Sequence, residues 1–144
     1  MATPTRTDYS PDRVAISLGP VLVDGYADGE FISVEIPDLF TKTVGTDGKV
    51  VRNRSLDRSA TITFSLLQTS ASNDALSVLY QLDLNAPNGA GVVPLTIRDL
   101  NGRTLLTAAE AWIAKAPDVM YDREATSREW TIHCADLLVF VGGN

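Results

Sequence analysis

The only histidine of this 144-residue chain, His133, stands beside its only cysteine, Cys134. Any Ser-His-Asp or Cys-His arrangement would have to use that histidine as its base. The segment REWTIHC alternates Trp130, Ile132 and Cys134 with Glu129, Thr131 and His133, so it reads as a strand whose neighbouring side chains face opposite ways. Adjacent strand residues form no dyad, and His133 reads as a polar surface or interface residue. No nucleophile elbow, phosphate-binding glycine loop or second metal-ligating group accompanies it. Glu30, Glu35, Glu110, Glu124 and Glu129 could supply the two carboxylates, ~5 to 9.5 Å apart, that glycoside hydrolysis needs. With eighteen acids in the chain, some pair would fall within reach by composition alone. Trp112 and Trp130 could stack on a sugar, but in strands of alternating burial they read as core. The chain does not read as an enzyme, and neither a catalytic residue, a metal nor a cofactor is expected.

The elements that carry these residues fit one domain, spanning 1–144. A chain of this length buries about 68 to 70% of its unfolded surface. Its composition, 44% hydrophobic and 21% charged, is that of a globular protein. A net charge of −6 argues against conventional nucleic-acid binding, which relies on lysine and arginine displacing counterions from phosphates. A single cysteine leaves no intrachain disulfide and suits a reducing compartment. The start MATPTRTDYS has no apolar signal core, and the longest purely apolar run, Leu137 to Val141, is far short of the ~20 residues that span a bilayer. Neither secretion nor membrane insertion is expected.

Residues 1–12 read as a loose polar arm before a strand from Arg13 to Leu18, which Gly19-Pro20 ends in a turn. Glu30 to Ile36 reads as a strand with Ile32, Val34 and Ile36 inward. Ala60 to Leu66 alternates most cleanly, with Ala60, Ile62, Phe64 and Leu66 inside. A helix follows over 73–82, capped by Ser72 or Asn73, with Asp74 in its first turn. Its predicted core stripe is Ala75, Val78, Leu79 and Leu82. So short a helix needs a sheet to lie on. Val92 to Asp99 reads as a strand, and Asn101-Gly102 predicts a two-residue hairpin turn with a mate starting at Arg103. Alanine-rich TLLTAAEAWIAKA has helical propensity, yet the turn before it and Pro117 after it favour a strand. Arg128 to Cys134 and Leu137 to Val141 complete a mainly β fold: an antiparallel barrel or sandwich with one flanking helix.

Residues 37–58 read as a long protruding hairpin around Gly-Thr-Asp-Gly, with too few apolar residues to cover itself. Between 42 and 58, Lys42, Lys49, Arg52, Arg54 and Arg58 face only Asp47 and Asp57, which leaves +3 there and −9 in the rest of the chain. Taken alone, such a run is a solvated loop.

The stretches YSPDRVAISLGPVLVDGYADGEFISVE, SATITFSLLQTSASNDALSVLYQLD, PLTIRDLNGRTLLTAAEAWIAKAP and REWTIHCADLLVFVGGN, in this order and spacing, resemble the tail tube proteins of contractile-tailed bacteriophages. That family is similar in turn to the tube proteins of type VI secretion and of phage-tail-like bacteriocins. The resemblance implies a small β-barrel or sandwich flanked by one helix. It also implies six-membered rings of the chain stacked into a hollow tube inside a contractile sheath, with genome DNA passing through the lumen without specific binding. Its implied partners are further copies of the chain and the tail sheath, baseplate and tape-measure proteins. Its implied location is the virion, assembled in the cytoplasm of the host bacterium. A long hairpin reaching neighbouring subunits would give Lys42, Asp47, Lys49, Arg52, Arg54 and Arg58 a use, with +3 meeting −9 head to tail. Glu35 and Glu129, on polar strand faces, become candidates for the lumen lining, where a neutral to negative wall lets DNA slide; the same faces could instead meet the sheath. Other readings are the tube subunit of a phage-tail-like bacteriocin or injection system, a carbohydrate-binding β-sandwich, and a small hydrolase built on a carboxylate pair.

Overall fold

In the computed structural model of the chain, which describes residues 8–86 and 88–143, the order of elements is ten strands with one α-helix inserted after the sixth. A 3-10 turn at Pro11–Arg13 leads into β1 (Val14–Leu18) and β2 (Val21–Val23), followed by β3 (Ile32–Glu35), β4 (Phe40–Val44), β5 (Val50–Arg54) and β6 (Ala60–Leu67). The helix α1 (Ser72–Asn85) precedes β7 (Val93–Asp99), β8 (Leu105–Lys115), β9 (Ser127–Cys134) and β10 (Leu137–Phe140). The part of the expected N-terminal arm at 1–7 lies outside the described residues.

The main sheet runs β2-β1-β7-β8-β9-β6-β3, antiparallel throughout. The alanine-rich segment is its eleven-residue strand β8, paired on both sides, so tertiary pairing overrides its helical propensity. β9 and β10 share one edge of β8 in succession. β9 pairs with Ala111–Lys115, β10 pairs with Leu105–Ala108, and Ala135 N–H donates to the Glu110 carbonyl at 3.1 Å between them. Register shifts at Val93/Leu95 and Ile113/Lys115 bend the sheet. Its two end strands are joined by a crossing segment in which Tyr26 bridges Leu66 and Ala27 N–H donates to the Ser65 carbonyl at 2.9 Å. The sheet therefore folds over on itself like a sandwich without closing into a barrel.

The core between its walls contains Ile16, Leu18, Ile62, Phe64, Leu66, Leu95, Trp130 and Ile132, all essentially without solvent contact. β6 buries Ala60, Ile62, Phe64 and Leu66, as its alternation predicts. Gly19, in the turn from β1 to β2, has φ +58°, and a Cβ there would sit 2.8 Å from that of Val93. Only glycine meets both conditions without strain.

Four local expectations are corrected. β2 forms just after the Gly19-Pro20 turn, where no strand is expected. The helix starts after Ala71 with no side-chain cap. Ser72 instead donates its hydroxyl to Asp24 Oδ1 at 2.9 Å, and Asn73 accepts the indole N–H of Trp130 at 2.9 Å. The helix buries Ser72, Leu76 and Leu79, not the stripe Ala75, Val78, Leu79 and Leu82; Ala75, Val78 and Leu82 are exposed. The hairpin at Asn101-Gly102 exists, but β8 begins at Leu105 and neither residue has positive φ, so the turn is not the tight two-residue type. Asn101 is held instead by Ser10, whose N–H it accepts at 3.0 Å and to whose carbonyl it donates at 2.8 Å.

Candidate functional site

β4 and β5 form a hairpin of their own, paired from Phe40↔Arg54 to Val44↔Val50, and all ten of its strand residues are exposed. Directly opposed residues of an antiparallel pair lie on one face. Phe40, Lys42 and Val44 therefore share a face with Arg54, Arg52 and Val50, while Thr41, Thr43, Val51 and Asn53 occupy the other. The Arg52 guanidinium lies 4.0 Å from the Phe40 ring centroid, and Asn53 donates to Thr43 Oγ1 at 2.9 Å, which fixes both faces. Lys42 stands directly opposite Arg52, a like-charge pairing that costs stability unless an anion neutralises it. A two-stranded hairpin is marginal in water on its own.

The other charges of this segment are already engaged. Asp47 turns the tip, accepting Lys49 N–H at 3.1 Å, and its 3.9 Å ion pair with Lys49 is exposed and contributes little. Arg58 is tied to Asp136 at 3.1 Å, at the root of the arm. Asp57 accepts from the Ser59 hydroxyl and N–H, which holds its carboxyl below the usual range. Of the six predicted arm residues, Lys42, Arg52 and Arg54 share one face and have no ion-pair partner among the described residues.

At the arm's root a groove of about 480 Å3 runs between Leu39, Phe40, Leu56, Leu138 and Val139. Leu56 is 85% exposed and Leu138 60%. Arg54, Ser55 and Arg58 line it as well, so the exposed apolar surface is edged by polar groups.

The outward face of β3, β6 and β9 is different in character. Glu35 aligns with Thr61 and then His133, Ser33 with Thr63 and Thr131, and Ser65 with Glu129. Trp112 lies beside His133 on this face, half-buried with ring centroids 6.4 Å apart, so it is not the core residue its strand position predicts. Trp130 is. Glu35 and Glu129 share the face but are two strands and four residues apart, roughly 10 Å across and about 13 Å along. That exceeds the ~5 to 9.5 Å of a glycosidase pair. Glu30 and Glu124 lie in loops, and Glu110 is an exposed β8 residue. Among the described residues no group of three or more potential ligands could hold a metal, and no helix is long and apolar enough to cross a membrane.

One charged residue escapes the sequence reading. Arg128 has the same parity on β9 as Trp130, Ile132 and Cys134, and it is 7% exposed. The signal was available: a charge at an inward position of an otherwise apolar face.

A family model described as bacteriophage PhiTE tail tube protein matches residues 1–142. Structural protein ORF10 of Pseudomonas phage KPP10 is 33% identical over 151 aligned positions, covering all of this chain and 87% of that protein. Among solved structures, the sheath/tube terminator of the PVC extracellular contractile injection system in its extended state superposes with a TM-score of 0.62 at 12% identity, over 96% of this chain and 100% of that one. The extended sheath-tube complex of the same system gives 0.58 at 13% identity, over 96% and 99%. At such identities the likeness is one of fold.

Proposed function

Since the chain belongs to the bacteriophage tail tube protein family, a family of phage structural proteins, we propose that its copies build the tube by lending each other the hairpin Phe40–Arg54. Six copies close a ring, and rings stack along the axis into a hollow tube within a contractile sheath. Contacts that close laterally and repeat axially are how one copied surface makes both. The observation that carries this reading is the hairpin's amphipathic face, in which Lys42, Arg52 and Arg54 stand exposed among exposed Phe40, Val44 and Val50. The −9 on the rest of the chain supplies the complement.

The threonine- and serine-rich face with Glu35 and Glu129 then lines the lumen, where it offers phosphates little to grip and lets genome DNA slide during ejection. Helix α1 packs beneath the opposite face of the sheet and turns outward, toward the sheath. Baseplate and tape-measure proteins complete the partners, and assembly takes place in the host cytoplasm before the particle is finished.

Deletion of residues 41–55 tests the hairpin. The full chain should give rings or tubes by negative-stain microscopy, whereas the deleted chain should give folded single copies. Lys42→Glu with Arg52→Glu should act like the deletion, and Thr41→Ala with Thr43→Ala should not. Tubes that persist unchanged after the deletion overturn the proposal.

A further inference from the structure

Arg128 enters the sheet opposite Leu66, on the face that otherwise carries Trp130 and Ile132. Its Nη1 donates to Thr126 Oγ1 at 2.7 Å and to the Ser127 carbonyl at 3.2 Å, and its guanidinium carbon lies 5.4 Å from the Tyr121 ring centroid. Among the described residues no carboxylate oxygen comes within 4.0 Å of it. An arginine keeps its charge in any protein environment, and a nearly buried one without a counter-ion is costly.

The side chain borders a cleft of about 400 Å3, walled by Gln68, Asn73, Ser77, Pro117, Tyr121 and Trp130. The amide oxygens of the wall are already committed. Gln68 Oε1 accepts from Thr126 N–H at 3.1 Å, and the Asn73 carbonyl oxygen takes the indole N–H. Nε and Nη2 of Arg128 make no hydrogen bond to any described residue, and no buried side-chain polar atom of the described residues lacks a partner, so these donors open onto the cleft. Val119 and Tyr121 on its wall are exposed, Tyr121 by 78%. A mostly buried arginine whose free donors meet solvent in a cleft, flanked by exposed apolar side chains, has the composition of an interface hot spot.

We propose that this cleft is a carboxylate receptor, filled in the assembly by an aspartate or glutamate of a second copy of the chain. The inference rests on the reading that copies associate. The planar fork of the guanidinium takes a carboxylate in a bidentate manner. The surplus of acids outside the hairpin, −9 in all, makes another copy the complementary occupant. The cleft is separate from the hairpin groove and shares no lining residue with it.

The test compares the full chain with Arg128→Met, which keeps the length of the side chain and removes the unpaired charge. The isolated variant should melt no lower than the parent, because a buried charge has gone, while the critical concentration for assembly rises at least about tenfold, equivalent to ~1.4 kcal/mol. A purely structural arginine would do the reverse, lowering the melting temperature and leaving assembly of the folded fraction unchanged. In Arg128→Lys, carbodiimide treatment of the assembled protein should join position 128 to a carboxylate of another copy, read by mass spectrometry on mixed heavy- and light-labelled subunits. Cross-links confined to one chain, to a non-identical partner, or absent from assembled material overturn the proposal, as does phosphate or an oligonucleotide protecting the lysine in place of a copy. If the unaltered chain forms no assembly, the parent reading fails and this one with it; if Arg128→Met assembles like the parent, this one fails alone.

Discussion

Tyr26 and Cys134 are the residues through which the fold answers to alkali. Burial raises the Cys134 thiol, with the Asp136 carboxylate adding to it, and burial raises the Tyr26 phenol, with Asp24 adding to it. Tyr26 donates to the Val23 carbonyl at 3.1 Å, a bond that ionisation would remove. Both groups have a folded-state pKa above the unfolded one, so their contribution is complete below the ordinary thiol and phenol range and is lost as pH rises through the raised values. Urea unfolding measured between pH 7 and about 10.5 should show stability falling on the alkaline side. Cys134→Ala and Tyr26→Phe should each flatten that fall, and a stability that holds level or rises there would contradict the assignment. Within the same range the native thiol should resist alkylation, since Cys134 is 1% exposed.

Helix α1 shows how an element can be legible while its orientation is not. Its existence follows from the polar pause after β6 and the apolar residues beyond it, but those residues offer two overlapping stripes. One runs through Leu76 and Leu79, the other through Ala75, Val78, Leu79 and Leu82. The partner decides between them: α1 lies against β2, a strand that a three-residue VLV hidden between Pro20 and Asp24 does not announce. Leu76 has no exposure and Val78 has 70%. Leu76→Ala should therefore cost about 2 to 5 kcal/mol in chemical denaturation, while Val78→Ala should stay within about 0.5 kcal/mol. Equal effects would return the helix to the stripe its periodicity favours. The hairpin β4-β5 is the opposite case. Local sequence alone predicts it, because its register needs no other part of the chain, and its pairing separates Lys42, Arg52 and Arg54 from Thr41 and Thr43.

At the scale of the whole molecule, charge is divided between a cationic arm and an anionic body, and assembly that uses this division is sensitive to salt. The Debye length falls from roughly 14 Å at 50 mM to about 4 Å at 0.5 M ionic strength. Light scattering should show tube formation slowing severalfold over that range, and a rate indifferent to salt would remove electrostatics from the contact. The arm's cations, the alternation of β6 and β9, the strand character of β8 between its turn and Pro117, and the likeness to tail tube proteins were all determined by sequence, because each depends on neighbours within a few residues or on a pattern spread along the chain. Tertiary structure alone decided the rest. Asn101 left the expected tight turn because Ser10, ninety-one positions away in sequence, takes its amide. Trp112 faces outward while Trp130 is sealed, and Arg128 is buried with no counter-ion among the described residues. These outcomes depend on which strands become neighbours and where the ladder shifts register. A one-dimensional period holds no record of that, since burial is set by the surface that arrives from elsewhere in the chain.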